Sequence, residues 1–171
     1  MKTLRVTFLG LLGLAAGTLF AADQKPDRVE VTFVNPDKFT DAADAQRGSE
    51  WGRDANLDVL KGYIVQRASR YVAEGQKLSV SITDVDLAGE IEPWRSSSLR
   101  DARIMKDIYP PRIDLSYKLT DATGAVIKEG SRHLIDMSYL MNIYPDRSDP
   151  RVYDKGLLDD WIRRDIATKK K

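Results

Sequence analysis

Apolar and polar residues alternate from Arg28 to Val34, "RVEVTFV", with Val29, Val31 and Phe33 on one side and Glu30 and Thr32 on the other. A period of two predicts a half-buried strand. Asn35-Pro36-Asp37 stops it, because these residues favour turns and proline has no amide proton for a ladder. Lys38 to Arg53 is polar and reads as a loop with a helical turn at most. The period then changes. Leu57, Leu60, Ile64, Ala68, Tyr71 and Val72 recur at helical spacing. They predict a long helix that starts between Ser49 and Asp54 and ends near Glu74, with Gly75 as its C-cap. Val59 and Tyr63 lie on the other side of this helix, so it is expected to be sandwiched between a sheet and a second element, the C-terminal helix.

Leu78, Val80 and Ile82 resume the alternation, and there it breaks. Continued in phase, it would turn Asp84 and Asp86 into the core and Val85 and Leu87 to water. Two unpaired buried carboxylates cost several kcal/mol. The strand therefore ends near Thr83, or a bulge there re-phases it and sends both aspartates outward. The second reading is favoured, and on it the acids of "ITDVDLAGEIEPW" are solvent-side residues of a bulged strand end.

From Glu92 to Tyr109 the chain is polar and irregular, a long exposed loop or a short helix. Pro110-Pro111 leads into "RIDLSYKL", whose Ile113, Leu115, Tyr117 and Leu119 share one face. Asp121-Ala122-Thr123-Gly124 is a hairpin turn, with glycine for the positive φ, and "AVIKEGSR" is the returning strand. Leu134 to Ile143 is apolar enough for a short helix. Asp149-Pro150 reads as the N-cap and first residue of a last helix, with Leu157, Leu158, Trp161, Ile162 and Ile166 along one broad face. Asp159 with Arg163 and Asp160 with Arg164 are four-apart pairs with the acid first. This order predicts an α+β fold: a small antiparallel or mixed sheet of about four strands with the long helix and the C-terminal helix packed on it.

The N-terminus alters the cellular picture. Lys2 and Arg5 precede an uncharged apolar run, Val6 to Phe20, followed by Ala21, Ala22 and Asp23. That is the layout of a secretory signal peptide, short for a membrane span. Cleavage is expected after Ala21 or Ala22, which leaves residues 23–171 as one domain with no further span, exported to the periplasm. The chain has 27 basic and 26 acidic residues, and losing Lys2 and Arg5 leaves the two signs one apart. That balance argues against a nucleic-acid partner. Lys169-Lys170-Lys171, the one basic cluster, reads as a solvated end. With no cysteine, thiol nucleophiles, Cys-based metal sites and disulfides are excluded.

The candidate chemistry is sparse. Asp84, Asp86 and Gly89 match the first, third and sixth positions of a calcium loop, but Ala88 and Arg95 stand where the fifth and twelfth ligands belong. A weak cation site on Asp84, Asp86 and Glu90, or a carboxylate-based hydrolase in the Asp84–Glu92 region, are the alternatives to a plain turn. His133 is the only histidine, no nucleophile elbow or phosphate-binding glycine loop occurs, and no cofactor is expected. Trp94 follows Pro93 and is either packed or an exposed binding aromatic. Arg112, between two acids in "DIYPPRID", reads as a salt-bridged strand entry or part of a rigid recognition edge.

Three stretches, "VTFVNPDKFTD", "ITDVDLAGEIEPW" with "DIYPPRIDLSYKL", and "YDKGLLDDWIRRDI", together resemble the bacterial family catalogued as domain of unknown function 3016. The resemblance runs from about Val29 to Ile166. It implies export in Gram-negative bacteria and a single domain, and it supplies no catalytic residue. The leading functional reading is a non-catalytic periplasmic binding or envelope-assembly module for an envelope protein or a small ligand. Its candidate surface comprises Asp84, Asp86, Glu90, Glu92, Trp94, Tyr109 and Arg112.

Overall fold

A computed structural model describes residues 28–43, 50–92, 94, 102–144 and 146–167. The expected leader, part of the Glu92–Tyr109 loop and the terminal lysines lie outside them. The first strand, β1 (Val29–Phe33), leads through a 3₁₀ turn at Pro36–Lys38 to the long helix α1 (Glu50–Ala68) and on to β2 (Lys77–Asp86). A two-stranded ribbon follows, β3 (Glu90–Ile91) with β4 (Arg103–Ile104), then the hairpin β5 (Arg112–Thr120) and β6 (Val126–Ile135). A 3₁₀ turn at Tyr139–Met141 and α2 (Val152–Trp161) complete the chain, with a π-helical last turn over Ile162–Ile166.

The main sheet has the order β1-β2-β5-β6. β1 runs parallel to β2 because a whole helix separates them, and the other two pairings are antiparallel. The α+β architecture is therefore a mixed four-stranded sheet carrying α1 and α2. Leu78, Val80 and Ile82 of β2 face Ile113, Leu115 and Tyr117 of β5 in one core with Leu60 and Ile64 of α1. Trp161 is fully buried and meets the Tyr117 ring edge-on, with centroids 5.8 Å apart. The other sheet face carries Thr32, Ser81, Ser116 and Ser131 in one cross-strand row.

The register of β2 shifts between Ile82 and Asp84. This is the expected bulge: Val85 returns to the core at 0% exposure while Asp84 and Asp86 turn to the outer face. The hairpin turn also forms, with Gly124 at φ 86°.

Four boundaries differ from expectation. α1 stops at Ala68, where the Ser69 hydroxyl donates to the Val65 carbonyl at 2.6 Å and competes with the next helical turn. Gly75, at φ 80°, instead forms the turn into β2. Leu134–Ile143 is not a helix: β6 takes its start, and only Tyr139–Met141 is helical, as 3₁₀. α2 begins at Val152, since the Asp149 carboxylate accepts from Arg151 N at 2.9 Å and forms a side-chain turn ahead of the helix.

Helix α2 covers Tyr63, whose ring has Lys155 Nζ 6.0 Å from its centroid, but leaves Val59 42% exposed. The contact follows the side of α1 where Arg67 pairs with Asp159. Arg163 meets both Asp159 and Asp160, at 3.0 and 2.7 Å. Asp160 thus meets Arg163, three residues on, a spacing that neighbours on a helix surface share with four.

Candidate functional site

Beyond the bulge, β2 enters a tightly tied end of the sheet. Asp84 accepts from Thr40 N and Thr40 Oγ1, both at 2.7 Å, and anchors the loop after β1. Asp41 N donates to the Val85 carbonyl at 3.0 Å, and Leu87 N donates back to the Asp41 carbonyl at 2.9 Å. The Asp41 carboxylate takes a forked pair of bonds from Arg103, at 2.7 and 3.1 Å. Arg103 also donates to the carbonyls of Gly89 and Ala43, each at 2.8 Å. One guanidinium thus joins three separate stretches of chain, which its planar fork suits.

Gly89 makes the turn possible. Its φ is 79°, and a Cβ there would lie 2.7 Å from Met105 Sδ and 2.9 Å from the Ile104 carbonyl. Both the backbone and the space exclude larger residues. Gly89→Ala is expected to lower the unfolding free energy by about 2 kcal/mol, read by urea denaturation. An unchanged midpoint would refute this account of the turn.

The acids of this turn do not meet water as expected. Asp86 is 8% exposed and is gripped by Arg112, through Nε at 2.8 Å and through Nη2. Glu92 is 1% exposed, pairs with Lys106 Nζ and accepts from the Tyr109 hydroxyl at 3.0 Å. That bond to a carboxylate raises the Tyr109 pKa above the ordinary phenol value. The re-phased strand sends Asp86 to the outer face, but the returning 103–112 segment lays its cations over the acids and removes the solvent. Ion pairing makes burial tolerable where unpaired carboxylates would not be.

A further carboxylate lies beneath. Asp154 of α2 is 1% exposed, its Oδ1 accepts from Ala88 N at 2.9 Å, and its Oδ2 has no hydrogen-bond partner. Burial pushes its pKa up to about 6, against the pull of the Ala88 amide and of Arg151 and Arg103.

The expected site residues therefore separate. Asp86 with Arg112, and Glu92 with Tyr109, form two internal pairs, Asp84 caps a loop, and half-buried Glu90 accepts from Ile91 N at 3.1 Å. Oxygens already held by cations and amides are poorly placed for hydrolytic acid/base work. Among the described residues no group of three or more His, Asp or Glu converges as a metal site. His133 holds Asp114 Oδ1 at 2.5 Å on the outer sheet face. Trp94 is 73% exposed, so the packed alternative does not hold for it.

Other residues of this region were invisible to sequence reasoning. Asp41, Arg103, Lys106 and Asp154 lie far apart in the chain and follow no motif. Five described large apolar residues exceed 60% exposure, Trp94, Ile108, Met137, Met141 and Ile143, and of these the sequence marks only Trp94. Four of them flank the clamped segments or the Tyr139 turn tied to them, and Ile143 lines the cavity over α1 and α2 with Tyr63 and Asp159. Ile108 sits between Lys106 and Tyr109, both held by Glu92, and Trp94 is two residues beyond Glu92. The Tyr139 hydroxyl donates to the Lys106 carbonyl at 2.7 Å, and Met137 and Met141 stand two residues to either side of Tyr139. Asn142, next to Ile143, donates to Asp136 Oδ2 at 2.7 Å.

The model of the family described as "Protein of unknown function (DUF3016)" matches residues 27–164. The chain belongs to this DUF3016 family. That span covers every strand and both α-helices described above and ends within the π-helical last turn. Among functionally curated proteins none matches the sequence. Two solved dodecamer structures of PelC from Paraburkholderia phytofirmans, one of them a point variant, are distantly similar. They show 13% and 11% identity over 84% and 82% of this chain, and 88% and 89% of theirs, with TM-scores of 0.38 and 0.36. No described helix of this DUF3016 protein is long and apolar enough to cross a membrane.

Proposed function

We propose that this DUF3016 protein is an exported, non-catalytic docking module that binds another envelope protein through the apolar cluster beside its ion-pair clamp. One observation carries the reading: of the five described large apolar side chains above 60% exposure, Trp94 and Ile108 border the clamped segments, and Met137 and Met141 flank Tyr139, which is tied to Lys106. Exposed apolar groups scattered singly need no explanation, but a local set marks an interaction surface. The clamp supplies a rigid base, which reduces the ordering cost of binding.

The cluster protrudes: Met141 is 85% and Ile143 93% exposed. Such knobs fit an apolar pocket in a partner, and methionine adapts its shape to one. Asp107 beside Ile108 and Asp146 near Ile143 are exposed acids at the rim. They repel anionic lipid headgroups and match a basic rim on a protein.

The test is site-specific photo-crosslinking in cells that make the protein. A crosslinker at Met141 or Ile143 is expected to yield one discrete protein adduct, and the same group at Val59, exposed but remote on α1, is expected to yield none. The adduct at Ile143 should disappear when Ile108→Asp and Met137→Asp are combined. Equal labelling at Val59, or flotation of the purified protein with anionic vesicles, would defeat the proposal.

A further inference from the structure

The sheet has two edges of very different character. β1 is five residues long, and a short edge is a common guard against unwanted pairing. β6 spans ten residues, contains no proline, and its one register irregularity lies at the start, opposite Thr120. Among the described residues nothing pairs with its outer edge. Such an edge offers a row of free amides and carbonyls to any strand that fits. The two cations that could guard it, Lys128 and Arg132, point to the inner face. Lys128 Nζ donates to the Asp165 carbonyl at 2.6 Å, and Arg132 Nε to the Asp165 carboxylate at 2.7 Å. Both are drawn beneath the sheet rather than past its edge.

We propose that β6 pairs antiparallel with β6 of a second copy of this chain, about a two-fold axis through Ser131, to form a continuous eight-stranded sheet. The strand's own sequence selects this occupant and this register. A two-fold axis normal to the sheet keeps each residue's face, so opposed positions must differ by an even number. Centring on Ser131 sets Glu129 against the partner's His133, and Ile127 against the partner's Ile135, each pair occurring twice. Glu129, His133 and Ile135 lie opposite the outer-face residues Lys118, Asp114 and Arg112, Ile127 is the extra residue of the irregularity opposite Thr120, and opposed residues on this face approach to about 5 Å. Ile127 and Ile135 are 47% and 41% exposed in the single chain, and this pairing covers both. Glu129 already lies 3.3 Å from Lys118, and a carboxylate has lone pairs enough for a second partner. His133 is held on one side by Asp114 and presents its other ring nitrogen to the carboxylate. Centring on Gly130 instead opposes Lys128 to the partner's Arg132 and Ile127 to the partner's His133, so like charges meet and an apolar residue faces a polar one. The preferred register forms about eight to ten backbone hydrogen bonds. It also extends the hydroxyl row of Ser81, Ser116 and Ser131 across both copies.

The chain contains no cysteine, so a single introduced thiol reports on the axis alone. Ser131→Cys is expected to form a disulfide dimer under mild oxidation about tenfold faster than Thr123→Cys, whose site is an exposed turn. Sedimentation equilibrium tests the register. Glu129→Lys and His133→Glu are each expected to shift the protein to monomer, and an equimolar mixture of the two to recover a dimer. Only the mixture gives every pair one carboxylate and one donor, and a merely structural effect of either change would not be rescued by mixing. Three results would overturn the proposal: wild type monomeric at high concentration with equal oxidation rates at the two sites, a dimer that mixing does not restore, or a dimer abolished by Met141→Asp/Ile143→Asp while Ser131→Cys stays slow. The last result would assign self-association to the apolar cluster. A failure at the edge with the photo-crosslinks intact would leave the docking surface standing.

Discussion

Replacing Arg103 by alanine is expected to lower the unfolding free energy by about 3 kcal/mol and the melting temperature by about 10 °C. The Arg103 side chain is 7% exposed, and its fork holds the Asp41 carboxylate and the carbonyls of Gly89 and Ala43 together. Truncation leaves one carboxylate and two carbonyls without that donor, and the cost of stranding such groups exceeds the net worth of the bonds themselves. Asp41 keeps 21% of its side chain in contact with solvent, which places the loss at the lower end for a broken buried pair. Arg103→Lys is expected to recover only part of it, because an ammonium cannot fork across a carboxylate. Arg163→Ala is the contrast. That residue is 54% exposed and spans two helix-surface acids, so its loss should stay within about 0.5 kcal/mol. Urea titrations of the three variants decide the matter. Equal effects at Arg103 and Arg163 would show that the sheet end is not clamped as described.

Asp154→Asn is expected to change the pH dependence of stability. The carboxyl of Asp154 titrates at 3.8 in an unfolded chain and at about 6 in the folded one, chiefly because burial penalises the charge. Below about pH 4 both states hold the proton, between there and 6 the folded state holds more of it, and well above 6 neither does. Stability therefore falls as pH rises through that window, by roughly 3 kcal/mol in total. Asparagine carries no charge at any pH and keeps an oxygen for the Ala88 amide. The variant should thus gain on the wild type by about that amount between pH 4 and pH 7.5. Asp121 and Asp146, whose pKa values are lowered by hydrogen bonds from Thr123 and Ser148, act in the opposite sense. They are common to both proteins and cancel in the difference. A difference that stays constant from pH 4 to 7.5 would mean that Asp154 is not the strained acid described.

Both predictions concern residues that sequence reading passed over, although it located much of the frame. The strand at Val29, the bulge after Ile82, the hairpin at Gly124 and the core position of Trp161 all follow from local alternation or helical spacing. The candidate residues lie at one end of the sheet, but their surroundings are not the expected ones. Asp86 and Glu92 were expected to meet water, and they are sealed by Arg112 and Lys106. Neither cation stands at a spacing that marks it as a partner, since 26 and 14 residues separate the pairs. The apolar run from Leu134 to Ile143 suggested a short helix because hydrophobic content alone does not distinguish a packed face from an exposed one. Tyr139 is fully buried while Met141, two residues on, is 85% exposed.

Sequence alone determined which way the residues of β1, β2 and β5 point and where the phase of β2 must change. Pleat and helical pitch are properties of adjacent residues, and a core rejects bare charge wherever it forms. Tertiary structure alone decided which charges are answered, which apolar groups stay uncovered, and that β6 is left as a long open edge. Those outcomes depend on what the rest of the chain brings alongside, and a carboxylate is solvated or sealed according to whether a distant arginine or lysine arrives to replace the water.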